Sequence, residues 1–296
     1  MIDALAQLTV NGIALGAAYA LAALGFVLVI NAVGAVNFAH GDFVMAGGFL
    51  AVAISGYLPA DLELPGLVVL PLTMLVAAGL GLLLSLIAYF PLRGRPPVSV
   101  FISTIAVAII LQHGTNAIFG PAPRAAPPVF GDGQVDLGIA SVSMQQVAVI
   151  VVAAVLIGAV ALVLSRTRFG RRLRAAAQDP EMAEAIGIDV PLMIAVTFAL
   201  AISLAGATGA LLANQFFVSP DDGGNYMLKA YIAVVIGGWG RIHGAVLGAL
   251  LIGMFEVVVA AAASYVVAEA LLYGALLAVL VLRPQGLFGE AEGRRA

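Results

Sequence analysis

Long apolar runs, bounded by proline, glycine and charge, recur from one end of this 296-residue chain to the other. About 20 such residues suffice to carry a helix across roughly 30 Å of hydrocarbon. The pattern predicts membrane spans at 8–30, 37–58, 66–90, 98–119, 144–165, 191–213, 243–263 and 265–282. A further apolar piece, 229–237, is too short to cross alone and runs into Gly237-Gly238-Trp239-Gly240. It reads as a half-helix, broken or re-entrant, a form that persists at membrane depth only where protein or a water-filled cavity covers its backbone. The expected fold is all-α: a polytopic transmembrane helical bundle of about eight full spans plus this short segment. Residues 1–296 then make a single transmembrane domain.

The pattern breaks once, at 166–190, where the chain turns basic and amphipathic. Phe169 to Gln178 is expected to continue the fifth span as a helix beyond the membrane, its arginines near the headgroups. Asp179 then stands at an N-cap and Pro180 at the first helical position, which can spare its N–H. Glu181 and Glu184 lie in the first turns, where the helix dipole favours them. Met182, Ala183, Ala185 and Ile186 offer an apolar face, and Gly187 is placed to end the helix. So short a helix needs packing from something else. It is either a membrane-surface helix held by basic anchors or a lever gripped by a soluble partner, and composition does not choose between them.

Composition sharpens the class. The chain is 62% hydrophobic and only 10% charged, with a mean hydropathy of +1.11. It holds no cysteine, which excludes disulfides and thiolate metal sites. No cationic stretch precedes the first apolar run, so 8–30 reads as a retained span. With the 166–190 insert in the cytoplasm and 229–237 counted as a crossing, Arg93, Arg95, Arg166, Arg168, Arg171, Arg172, Arg174, Arg241, Arg283, Arg294 and Arg295 all fall inside. Only Arg124 and Lys229 fall outside. This is the positive-inside bias, and it places the N-terminus outside and the C-terminus in the cytoplasm. The acidic turn Asp61-Leu62-Glu63 faces outward. So does the loop 120–143, where the sequence allows a small hairpin around Asp132-Gly133.

Polar groups inside the membrane are costly and become functional candidates by default. Asn37, His40 and Asp42 are expected near the inner end of the second span. There Asn37 either caps a helix or helps line an inner gate. Gln112, His113 and Asn116 form a polar patch toward the outer end of the fourth span, suited to a wet cavity or a helix interface. Glu256 lies deep in its span, as an interhelical hydrogen-bonding group or part of a gate. Gly237 and Gly238 suit a broken helix beside a translocation path, as close helix packing also would. No Walker A sequence is present, no HExxH motif or compact carboxylate pair suggests a metal centre, and the arginines lack the interleaved aromatics of a nucleic-acid surface. No cofactor is expected.

Four motifs occur in order: Asn37-Phe38-Ala39-His40-Gly41, Glu184-Ala185-Ile186-Gly187-Ile188, Gly237-Gly238-Trp239-Gly240 with Gly244 and Gly248, and Arg283-Pro284-Gln285-Gly286-Leu287-Phe288-Gly289. Across essentially the whole chain the sequence resembles the permease subunit of branched-chain amino acid ABC importers, the LivH type. The resemblance implies a transport subunit without enzymatic activity of its own, set in a bacterial inner membrane. It implies a heterodimer with a second related permease, two cytoplasmic ATP-hydrolysing subunits and a periplasmic substrate-binding protein. Asp179, Pro180, Glu181, Glu184, Ala185 and Gly187 then match the coupling motif that docks on the ATPase. Relatives handling urea or short amides keep a second substrate class open, and a stand-alone channel or ion-coupled carrier is the reading from another class. A scaffold without transport is a third, and it would not need glycine-broken helices.

Overall fold

The computed structural model describes residues 2–59, 62–136, 138, 140–283 and 285–287. Asp61, Pro284, Phe288, Gly289, Arg294 and Arg295 lie outside the described residues. In chain order the elements are α1 (Ile2–Val33), α2 (His40–Ser55), α3 (Pro65–Leu84) and α4 (Pro97–Phe119). A hairpin of β1 (Gln134–Asp136) and β2 (Ser141–Ser143) follows. Then come α5 (Met144–Arg166), α6 (Arg168–Gln178), α7 (Pro180–Ala185), α8 (Val190–Gln215), α9 (Gly223–Gly237), α10 (Ile242–Ala262) and α11 (Tyr265–Leu282).

Seven of these helices are long and apolar enough to cross a membrane: α1, α3, α4, α5, α8, α10 and α11. The chain is therefore a polytopic helical membrane protein, with one departure from the predicted spans. The 37–58 run is not a full span. Its helix, α2, has 16 residues and is about 24 Å long. Gly34, at φ +67°, turns the chain back at the end of α1. Residues 34–39 then rise without helical structure before α2 begins. The 229–237 piece is longer than its apolar run, because α9 starts at Gly223.

α1 is apolar on every side and buried along most of its length, as a central helix must be. α4 and α11 sit at the rim, with few buried positions. α1 lies along α10, and α8 lies along α3; α2 packs on α8, and α9 on α1. Gln7 near the start of α1 meets Ser141 in the hairpin region, while Asn31 near its end meets the Gly240 carbonyl. α8 runs the other way, starting beside α7 and ending where Asn214 donates to the Ala126 carbonyl at 2.9 Å. The triplets α1–α2–α3 and α8–α9–α10 thus run in opposite senses and exchange partners, an inverted arrangement familiar in transporters.

Glycine makes these contacts close. A Cβ on Gly209 would strike the Val44 carbonyl, and one on Gly47 would meet the Gly206 backbone at 2.5 Å. Gly209→Ala is expected to push α2 off α8 and cost about 1–3 kcal/mol. Thermal melting of the purified protein reads this, with Gly114→Ala as the control because nothing lies within 4 Å of that position.

Three local expectations are corrected. The hairpin's strands pair beyond Asp132-Gly133: Gln134 pairs with Ser143 and Asp136 with Ser141, so the reversal falls between Asp136 and Ser141. Asp136 Oδ1 accepts from Gly138 N at 2.8 Å, and Gly138 supplies φ +76°, so the left-handed position falls there. α6 does not continue α5. Thr167 leaves the helix at ψ 163° and its hydroxyl caps α6 at Gly170 N. Gly170 then packs against the Leu164 backbone, where any Cβ would collide. Lys229 does not lie in an exposed loop. Because α9 begins at Gly223, Lys229 is a buried residue within that helix. Among the described arginines, only Arg124 stands apart from the end of the bundle that carries α6 and α7.

The short segment passes from one end of the bundle to the other. Val218, just after α8, pairs with Arg124 in the 120–143 loop. The Gly238–Arg241 turn at the other end of α9 sits beside Asn31. Gly286, at φ +78°, rests on Val235 and Gly238, and Leu287 N donates to Ile236 O at 2.7 Å. Gly286 and Leu287 thus clamp the glycine turn after α9.

Candidate functional site

Two regions concentrate polar chemistry. The first is the α6–α7 end. Asp179 has left helical geometry, and its carboxylate accepts from Met182 N at 2.9 Å. Pro180 holds the first helical position. At the far end, Ile188 N donates to Ala183 O at 2.9 Å and Gly187 N to Glu184 O at 3.0 Å. This double closure needs a left-handed residue, and Gly187 supplies φ +83°. Asp179→Ala removes the cap and is expected to loosen α7 by about 0.5–2 kcal/mol. Faster amide exchange across 179–187 would report it.

α7 rests on Ala183, which is buried, and presents Met182 and Ile186 outward at 60% and 68% exposure. Ala185 and Glu181 are exposed as well. Glu184 pairs with Arg93, in the connection between α3 and α4, at 2.8 Å. Both side chains are more than a third exposed, so the pair contributes about 0–1 kcal/mol at most. Among the described residues nothing covers these two large apolar side chains at the six-residue helix.

The second region lies within the bundle. α2 and α9 meet at their N-termini: a Cβ on Gly41 would collide with the Gly223 carbonyl, and one on Gly223 with the Asp42 carboxylate. Asp42 therefore faces the positive end of α9 as well as its own helix start. Asn37 Oδ1 accepts from Ala39 N at 3.1 Å, shaping the turn into α2. His40 Nε2 lies 2.9 Å from the Ala22 carbonyl. A carbonyl only accepts, so Nε2 carries the proton. Ala22 stands eleven residues before the end of α1, about 16 Å along its axis. Asn37, His40 and Asp42 thus sit inside the bundle, not at the inner end of a span as expected. The cause is the rise of residues 34–39.

Six residues into α9, Lys229 Nζ contacts Glu256 Oε2 of α10 at 2.8 Å, and each residue is only 2% exposed. The Tyr19 hydroxyl of α1 donates to Glu256 at 3.2 Å. The ammonium also lies 5.9 Å from the Tyr19 ring centre and 5.5 Å from that of Tyr265, within cation–π range. The pair borders a cavity of about 560 Å³ at the end of the bundle away from α7.

Of the residues picked from sequence, Asp42, Gln112 and Glu256 each touch the stretch 221–229. Gln112 Nε2 donates to Asp221 Oδ1 at 3.0 Å. Asn116 is exposed on α4, its carbonyl accepting from Gly120 N. Gly237 and Gly238 lie at the opposite end, Gly237 against Gly244 on α10. Lys229, Tyr19 and Tyr265 escaped sequence reasoning. The signal available was arithmetical: the chain has one lysine, near an apolar run, and one deep acid to pair with it.

Such a bundle, with inverted helix triplets, two short helices meeting inside it and a capped amphipathic turn at one end, defines a polytopic permease. The chain matches the family described as branched-chain amino acid transport system / permease component over residues 8–281, and it belongs to that family. It is 34% identical over 302 residues to the high-affinity branched-chain amino acid transport system permease protein BraD of Pseudomonas aeruginosa, covering 97% of this chain and 96% of that one. It is 31% identical to LivH of Escherichia coli K12, covering 95% and 94% of the two chains. The probable LivH of Methanocaldococcus jannaschii is 28% identical over 91% of this chain and 88% of its own. No solved structure matches.

Proposed function

We propose that this chain is a membrane-embedded subunit of a binding-protein-dependent ABC importer that carries branched-chain amino acids across a bacterial inner membrane. Family membership over residues 8–281 is the observation that carries this reading. Residues 1–296 act as one permease unit, with 166–190 as its coupling insert. The subunit pairs with a second related permease. Two ATPase subunits sit beneath α7 and supply the hydrolysis, and a soluble binding protein delivers substrate at the other end. The arginine-rich end is cytoplasmic, by the positive-inside rule, which leaves the N-terminus outside and the C-terminus inside.

In this reading Met182 and Ile186 seat α7 in the ATPase, with Asp179, Pro180, Glu181, Glu184, Ala185 and Gly187 fixing its shape. Closure of the ATPases on ATP favours one arrangement of the bundle over the other, a shift in population rather than a push on substrate. The inverted triplets are the parts that rock. Asp42, Gln112 and Glu256, together with Asn37, His40, Asn116, Gly237 and Gly238, border the moving junctions around α2, α4 and α9. The test is uptake of labelled leucine, isoleucine, valine, urea and acetamide by cells expressing the complete transporter. Leucine, isoleucine or valine accumulation is expected; accumulation of urea or acetamide in its place would reassign the substrate.

A further inference from the structure

The cavity over Lys229 and Glu256 holds an unusual combination. Its volume, about 560 Å³, is within the usual range of small-ligand sites, roughly 300–1,000 Å³. Its floor is a buried ion pair with a tyrosine hydroxyl on the carboxylate. Leu15, Leu212, Phe216 and Val257 supply apolar wall. Tyr265 brings an aromatic face, and Gln215 lines the same space with a buried Oε1 that has no hydrogen-bond partner in the chain. The pair is only 2% exposed, yet both residues line this cavity rather than being enclosed by side chains on every side.

Charge balance selects the ligand. A lone cation or anion entering here leaves one of the two protein charges unpaired in surroundings of low dielectric, a steep penalty. A zwitterion does not. Its carboxylate can take Lys229 and its ammonium can take Glu256, so one pair becomes two and no charge is orphaned. The Tyr265 ring and the Gln215 oxygen offer the ammonium further contacts. An aliphatic side chain then has the leucine and phenylalanine wall to fill.

We propose that this cavity is a binding site, within the permease itself, for an α-amino acid zwitterion with an aliphatic side chain. The inference deepens the importer reading above and rests on it. A phosphatidylethanolamine headgroup shares the paired-charge chemistry, so the experiment separates the two sources.

The assembled permease–ATPase complex, in nanodiscs of phosphatidylcholine and without binding protein, is incubated with tritiated leucine at equilibrium. Saturable binding is expected, displaced by valine but not by isocaproate, isopentylamine or lysine. Ala260→Phe fills the cavity while leaving the ion pair intact, and it should weaken leucine binding by at least about tenfold with unchanged melting. The double substitution Lys229→Met with Glu256→Met keeps the floor free of unpaired charge and should abolish binding. Nanodiscs of phosphatidylethanolamine should give the same affinity. Loss of binding in that lipid, or binding unchanged by Ala260→Phe, overturns the proposal. So does absence of binding in a complex that still takes up leucine with its binding protein, an outcome that leaves the importer reading standing. A complex that transports no branched-chain amino acid overturns both.

Discussion

Lys229→Met is expected to be the most destabilising single exchange in the bundle, at about 3–5 kcal/mol. It leaves the Glu256 carboxylate 2% exposed with only the Tyr19 hydroxyl donating to it. Removing one partner of a buried pair is far worse than removing both, because the residual charge has lost its counterion and cannot regain water. The double exchange Lys229→Met with Glu256→Met should therefore recover most of the lost stability. Melting temperatures of the four proteins in detergent make the cycle. If Lys229→Met melts with the wild type, the ammonium is not paired as described. If the double exchange melts as low as the single one, the pair holds α9 on α10 more strongly than apolar packing can.

Met182→Asp combined with Ile186→Asp should leave the membrane bundle intact and disconnect it from its ATPases. Both side chains are exposed, so the substitutions lose little in the isolated subunit. At an interface they would be anchors, each contributing about 2–4 kcal/mol, and binding should weaken by at least about a hundredfold. Glu184→Arg is the companion variant. It sets a cation beside Arg93 at an exposed position where the native ion pair contributes little. Any large loss of uptake therefore reflects docking rather than unfolding. Co-purification of the ATPase subunits and binding-protein-dependent uptake read both variants. Normal uptake from either would remove the coupling role from α7.

Much of this was legible in the sequence, for reasons that can be named. Asp179, Pro180 and Gly187 carry local backbone physics, so α7 is found within one residue of its predicted place. The long spans are legible because hydrocarbon thickness sets their length. Hydropathy fails where the backbone breaks with little polarity to mark it. Residues 34–39 hold one glycine, Gly34, and one polar side chain, Asn37, in an otherwise apolar stretch, a signal that fits the end of a full span as well as a helix start inside the bundle. The inverted triplets were invisible too, since exchange of partners between α1 and α8 is a tertiary fact. Lys229 was misplaced because the polar start of α9, Gly223 to Tyr226, reads as a loop. Once that start is helical, the chain's lysine moves into the bundle and Glu256 becomes its partner.

In the proposed mechanism the bundle moves substrate only when ATPases bound at α7 drive it. The most direct measurement reconstitutes the full complex in proteoliposomes, with binding protein and labelled leucine at the outer end of the bundle and nucleotide at the α7 end. Accumulation against a gradient is predicted with ATP and none without it, and none from liposomes holding this chain alone. Leucine accumulating at the full rate with no nucleotide supplied would contradict the account.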